Sequence, residues 1–316
     1  MKYFWLFCFV LLFVSEEKAQ SVFVPTDSAF MTFENNKIIF PNGNSLPLFY
    51  EKLDRLLFDG EGYINILHIG GSHVQAGVFT ESIRNNLLSA YPHINSGLGI
   101  IFPFSAAKTN NPHPYKTTYQ GKWSSYRNVN KEIVYPLGLN GILLVSQDEE
   151  AAFSISMRKQ DSLRFDFNII RLLGYCDSGR VKPYIHTAKE TVEGVYDSVS
   201  KSYLFVLTEY VDSFSVSFHQ VIDSLWEPFY IRGLLLDNQL PGITYHSVGV
   251  NGASVPSYLK CDYLEKDLAF IKPDLCVFAI GINDASGDSF DTVAFKQNYD
   301  ALIRRIRSVS PDCEFV

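Results

Sequence analysis

A serine that follows two glycines at the end of an apolar run is placed to do nucleophilic chemistry. Residues 64–77 read INILHIGGSHVQAG; the run breaks at Gly70 and Gly71, presents Ser72 and passes into a helical pattern. A strand that feeds a helix through a tight glycine turn lifts the hydroxyl clear of the sheet edge. It also aims the first free N–H groups of the helix at whatever the hydroxyl attacks. Serine is also a frequent N-cap, and on this stretch alone both readings stand.

Two later strand-like runs end in turns of the same kind. Residues 243–248 run into VNGAS, with Asn251 and Gly252, and residues 275–280 run into GIND, with Gly281, Asn283 and Asp284. Acyl transfer needs a nucleophilic hydroxyl and donors placed where the carbonyl oxygen becomes negative. Ser72 would supply the hydroxyl and its own N–H, Gly252 a second N–H, and Asn283 a side-chain amide. Asn and Asp in a loop also cap turns, which is the plainer reading of Asn283 and Asp284 taken without Ser72. In an open parallel sheet, ligands bind beyond the carboxyl ends of the strands, where strand order reverses. With the order second, first, third, all three turns meet in one crevice.

GGSH at residues 70–73, NGA at 251–253 and GIND at 281–284, in this order and each after an expected strand, resemble the first three conserved blocks of the SGNH (GDSL-like) hydrolase superfamily. The resemblance implies that Ser72 is the nucleophile and that Gly252 and Asn283 complete an oxyanion hole. It covers the α/β portion, about residues 46–91 and 243–316. The portion between the first two blocks resembles, by position and strand pattern, the carbohydrate-binding-type insertion of peptidoglycan O-acetylesterases in that superfamily. Two departures stand out. The family has Asp before the serine, and here it is Gly71. That aspartate braces the loop in relatives, so rigidity is questioned more than reactivity. The family's base comes from an Asp-x-x-His block, and no histidine of this chain has an aspartate three residues before it. His73, beside Ser72 at a helix start, is expected to point away from it, and His68 and His246 lie within strands and read as core. The expectation is that the chain is incomplete at its C-terminus and that one or two further strand–helix units carry the Asp and His.

The elements that must position these residues follow from periodicity. Residues 46–58 carry a helical apolar stripe, residues 63–69 form the first strand, and a helix is expected from Ser72 to about residue 91. Residues 97–123, rich in Gly, Pro, Asn and aromatics, form a long loop, either functional or packed on the surface. Residues 131–237 alternate in period two over some seven short runs, which suggests an antiparallel sandwich or jelly roll. The α/β pattern resumes with a helix over 256–270, a strictly apolar strand after Pro273, a helix over 291–309 and the start of another strand at 313–316. The expected fold class is α/β: a flavodoxin-like parallel-sheet hydrolase domain, incomplete, with an inserted all-β jelly-roll-like module. The expected divisions are 1–19 signal peptide, 20–125 hydrolase domain first part, 126–240 inserted module, and 241–316 hydrolase domain second part.

Bulk properties narrow the function. The 316 residues are 47% hydrophobic and 15% aromatic, with a formal net charge of −7. No basic block stands out, which argues against nucleic acid as a partner. Lys2 precedes an apolar run over 3–14 that is short for a bilayer span, so an export signal cleaved near Ala19 is expected, with no stable membrane insertion afterwards and a secreted or periplasmic location. Cys176, Cys261, Cys276 and Cys313 fit no zinc spacing; Cys276 reads as core, and one disulfide is allowed in an oxidising compartment. No metal or organic cofactor is implied. The leading expectation is a secreted serine esterase acting on acyl, foremost acetyl, esters of a carbohydrate such as peptidoglycan. A polysaccharide O-acetyltransferase and a non-catalytic glycan-binding protein on a hydrolase scaffold are the alternatives.

Overall fold

A computed structural model describes residues 37–40, 43, 45–91, 93–158, 166–221, 226–286 and 289–316. The signal-peptide expectation lies outside the described residues. The chain divides into two units, Met1–Ser45 and Leu46–Val316. The few described residues of the first lie outside helices and strands, and the second carries the elements that form the fold.

Helix α1 (Pro47–Asp59) starts with Pro at its first turn and stops at Gly60, whose left-handed φ of 69° lets its N–H bond Leu56 O at 3.2 Å. Strand β1 (Tyr63–Gly70) follows, then α2 (Ser72–Ala76), α3 (Val78–Ala90), β2 (Asn95–Gly97) and β3 (Ile100–Ile101). The antiparallel strands come next: β4 (Tyr115–Gln120), β5 (Ser124–Arg127), β6 (Ile142–Ser146), β7 (Ala152–Met157), β8 (Phe167–Tyr175), β9 (Val181–His186), β10 (Thr191–Glu193), β11 (Val195–Asp197), β12 (Ser202–Val211), β13 (Ser213–Gln220) and β14 (Phe229–Asp237). The chain then returns through β15 (Gly242–Gly249), α4 (Val255–Leu259), α5 (Leu264–Ile271), β16 (Leu275–Ala279), α6 (Thr292–Val309) and β17 (Glu314–Phe315).

The fold is therefore mixed α/β. One sheet is parallel, in the order β17-β16-β1-β15-β2. The β-rich module is two antiparallel sheets, β10-β9-β13-β7-β4 and β11-β12-β8-β14-β6-β5, with β3 added against β14. β1 is the buried centre of the parallel sheet, and its alternation splits the core by face. Ile64 and Ile66 pack with Phe49, Leu53 and Leu56 of α1. Leu67 and Ile69 face the other way, into a core shared with α5, α6 and the antiparallel sheets.

A buried ion pair joins the module to the helices. Arg232 of β14 and Asp267 of α5 are fully buried and 3.0 Å apart. Asp267 also accepts Leu139 N–H at 3.0 Å, and Arg232 donates to Ser200 O at 3.2 Å, so the pair's remaining donors and acceptors are engaged.

Four expectations need correction. The helix after Ser72 is two helices, broken at Gly77. The helix expected over 256–270 is also two, α4 and α5. The 97–123 segment, expected as a long loop, is a loop only in part: it contributes strands to both antiparallel sheets, and Phe102, Phe104, Ala106, Ala107 and Tyr115 are buried rather than packed on the surface. Finally, the allowed disulfide is not formed; Cys176, Cys261, Cys276 and Cys313 are free and buried. Burial in apolar surroundings pushes the thiols of Cys261 and Cys313 up to about 12, so neither is a ready nucleophile.

Candidate active site

The register of the parallel sheet brings three turns to one edge. Gly70, the last residue of β1, stands between Gly249 of β15 and Ala279 of β16. β15 and β16 flank β1 on opposite sides, so strand order reverses here, the place at which open parallel sheets bind ligands beyond their strand ends.

Ser72 is the first residue of α2 and is exposed. Gly252 sits in the turn closed by Ala253 N–H bonding Val250 O at 2.9 Å; it is exposed and has φ of 82°. Asn283 lies in the turn after β16 and donates Nδ2 to Ala253 O at 2.8 Å. One point next to Ser72 shows how close the turns are. A methyl group built on Gly71 would lie 3.4 Å from Asn283 Nδ2, 3.7 Å from Ala253 O and 4.0 Å from Val250 O. An amide NH2 has two hydrogens. Asn283 commits one of them to Ala253.

The brace expected of an aspartate before the serine is supplied by other residues. Tyr258 of α4, fully buried, donates its hydroxyl to Gly70 O at 2.8 Å. Gln75 of α2 accepts Asn251 N–H on Oε1 at 2.8 Å and donates Nε2 to Thr109 Oγ1 at 2.9 Å. Asn251 Nδ2 reaches the same Thr109 hydroxyl at 3.4 Å. α2 lies so close to β15 that a methyl on Gly249 would meet Gln75 N at 2.3 Å. Asp284 accepts Val255 N–H with both oxygens, at 3.1 and 3.2 Å, and so ties the third turn to the start of α4. Burial raises the Asp284 carboxyl above its ordinary range, and the Val255 N–H pulls it partly back. Asn283 and Asp284 thus do the turn-tying that the plainer sequence reading gave them, and Asn283 also lies close to Gly71.

Gln75, Thr109 and Tyr258 carry no strong signal in the sequence. Ser72-x-x-Gln75 has the spacing of a capping box, a faint hint. Gln75 instead reaches another turn, and Thr109 sits in a segment without periodicity.

The histidines fall where strand periodicity puts them. His68 is buried, bonded through Nδ1 to Tyr245 Oη at 2.8 Å, and burial lowers it to about 4. His246 takes Ile100 N–H on Nδ1 at 3.1 Å, and burial lowers it to about 3. Both imidazoles are neutral parts of the sheet's interior. His113 bonds the buried Glu81 and holds its segment against α3. His73 is exposed beside Ser72. Among the described residues, no group of three His, Cys, Asp or Glu side chains is arranged to hold a metal.

No protein-family model matches the chain, and no curated protein matches it. A solved peptidoglycan O-acetylesterase structure matches over 85% of this chain and 70% of its own, at 20% identity and a TM-score of 0.64. A family two carbohydrate esterase from Cellvibrio japonicus matches over 64% of this chain and 77% of its own at 10% identity, but with a TM-score of 0.24 it superposes too loosely to bear on the fold. The first likeness establishes a shared fold: a mixed α/β unit carrying an additional β-rich module.

Proposed function

We propose that the chain is a serine esterase acting on acyl esters, acetyl foremost, of a carbohydrate such as peptidoglycan. Ser72 Oγ attacks the ester carbonyl, the alcohol leaves, and water later releases the acid from the acyl-enzyme. The oxyanion is held by the N–H groups of Ser72 and Gly252 and by the free amide hydrogen of Asn283. The observation that carries this reading is the approach of all three turns to within 4.0 Å of one point on Gly71. The strand order, with the site at the reversal, supports a flavodoxin-like hydrolase sheet. The antiparallel sheets support a jelly-roll-like insertion, and the site of action on this reading is outside the cytoplasm. The shared fold with a peptidoglycan O-acetylesterase favours a glycan ester over other esters.

This reading assigns the general base to none of His68, His246 and His113, each held by a partner within the fold. Among the described residues no helix is long and apolar enough to cross a membrane. The test is release of acetate from 4-nitrophenyl acetate and from O-acetylated peptidoglycan by the complete gene product, which on this reading supplies the general base, and by its Ser72→Ala variant. Turnover by the parent and background rates for the variant are expected. Equal rates for the two would remove Ser72 from the chemistry.

A further inference from the structure

Two histidines of the antiparallel sheet β10-β9-β13-β7-β4 reach for one atom. Strand alternation puts Ser215, Ser217 and His219 of β13 on one face, opposite His186, Tyr184 and Lys182 of β9 in register. The alternate residues Val216, Phe218 and Ile185 are buried on the other face. His186 Nε2 lies 2.7 Å from Ser217 Oγ, and His219 Nε2 lies 3.1 Å from the same oxygen. A hydroxyl has one hydrogen, so Ser217 donates to one ring at most and the other ring must donate to it. The surroundings hold both rings in place. His186 Nδ1 is 3.0 Å from Thr191 Oγ1 of β10, an acceptor that leaves Nε2 as the nitrogen with the lone pair. Tyr184 packs edge to face on the His219 ring at 4.7 Å. Lys182, opposite His219 in register, is bonded to Glu193 at 2.5 Å, so a carboxylate offsets its charge. His186 is half-buried, and burial together with the neighbouring His219 lowers it below its ordinary value, which keeps this ring neutral at neutral pH.

We propose that His186 and His219 form a two-imidazole site for a divalent late first-row metal ion, Zn2+ or Cu2+, that bridges β9 and β13. Neutral imidazole nitrogen is a ligand that suits both ions. Each Nε2 would hold the ion at about 2.0–2.1 Å. That places it where the Ser217 hydroxyl now receives both rings, and the exposed His219 closes the remaining gap by turning about its side-chain bonds. His219 is open to solvent, so water completes the coordination. The Thr191 hydroxyl behind His186 is the orienting partner that a metal-binding histidine ordinarily has. An anion fits this point less well: it would need charged rings, and His219 opposes the protonation of His186. Two side-chain ligands rather than three mark an exchangeable ion. Because the two nitrogens converge only when β9 and β13 are paired in register, the ion binds the folded sheet and stabilises it by mass action. The site uses none of the groups placed around Ser72 and is independent of the esterase reading.

The experiment titrates the untagged full chain with ZnCl2 at neutral pH by calorimetry and follows thermal unfolding with and without the ion. Thr191→Val, which removes the orienting hydroxyl from an exposed position, is expected to weaken Zn2+ binding by about tenfold. His219→Ala and His186→Ala each remove a ligand and are expected to weaken it by more than about tenfold. His219 is exposed, so its variant does not threaten folding. His93→Ala, at an exposed turn before β2, should bind Zn2+ like the parent. Zn2+ should raise the unfolding temperature of the parent, EDTA should reverse the rise, and His219→Ala should show none. Electron paramagnetic resonance of the Cu2+ complex should report two imidazole nitrogens in the parent and one in either histidine variant. No Zn2+ binding by the parent, parent-like affinity in both histidine variants, or a Cu2+ spectrum without two nitrogen ligands overturns the site.

Discussion

On the proposed reading Asn283 has two tasks, and the two can be separated. Its bond to Ala253 holds two turns together, while its second amide hydrogen is the proposed oxyanion donor. Asn283→Ala is expected to lower kcat on 4-nitrophenyl acetate by roughly 10²–10³, with KM little changed, the usual cost of losing one such donor. A variant that loses KM and leaves kcat intact would mean that Asn283 only shapes the pocket. The buried histidines set a second expectation at this scale. His68 and His246 are lowered by burial to about 4 and about 3, below the ordinary value near 6.5. Between those values the unfolded chain binds protons that the folded chain refuses. Stability is therefore full above pH 6.5 and falls as pH drops toward 4, by up to about 1.4 kcal/mol per pH unit for each histidine. Urea midpoints at pH 7 and pH 5 check this, and His246→Asn should flatten part of the slope. An unchanged slope in that variant would show that His246 does not titrate differently on folding.

Among the elements, the break between α2 and α3 decides how Ser72 is presented. Gly77 has φ of 77°, and a methyl there would meet His113 N at 2.9 Å and Pro112 and Pro114 at 3.0 Å. His113 N–H in turn donates to Ala76 O at 2.9 Å. Gly77→Ala is expected to cost about 1–3 kcal/mol, read as a lower urea midpoint. Because α2 carries both Ser72 and Gln75, ester turnover should fall with it. Wild-type stability would show that the break is not imposed by the 112–114 segment. The sequence pattern runs helically through Gly77, so periodicity alone could not place this break. The gap between α4 and α5 is equally hidden, and its cause is also tertiary: Tyr263 N–H bonds Leu137 O at 2.9 Å and Lys260 Nζ bonds Asn128 O at 3.3 Å. By contrast, α1, β1, β15, β16 and α6 are legible to within a residue or two. Their apolar periodicity is local and their ends carry Gly, Pro or Asp; Asp291, for instance, caps α6 by accepting Val293 and Ala294 N–H at 2.9 and 3.0 Å.

At the scale of the whole molecule, the module is bound into the α/β unit by a shared core and by the Arg232–Asp267 pair. Asp267→Ala leaves a buried guanidinium without its counter-charge and is expected to cost about 3–5 kcal/mol, measured by urea or thermal unfolding. A loss below about 1 kcal/mol would show that water reaches Arg232 and would weaken the view of a dry joint. The sequence by itself determined the strands, the glycine turns that end them and the three residues placed in those turns. Each of these is encoded within a dozen neighbouring residues, as apolar alternation or as a turn residue. The tertiary structure alone decided that β15 and β16 flank β1 and so bring the turns of Ser72, Gly252 and Asn283 to one edge of the sheet. It alone revealed Gln75 as a brace, since its bond to Asn251 spans 176 residues. A contact between residues so far apart leaves no period in the chain. It exists only once burial of the two β1 faces has chosen which strands lie beside it.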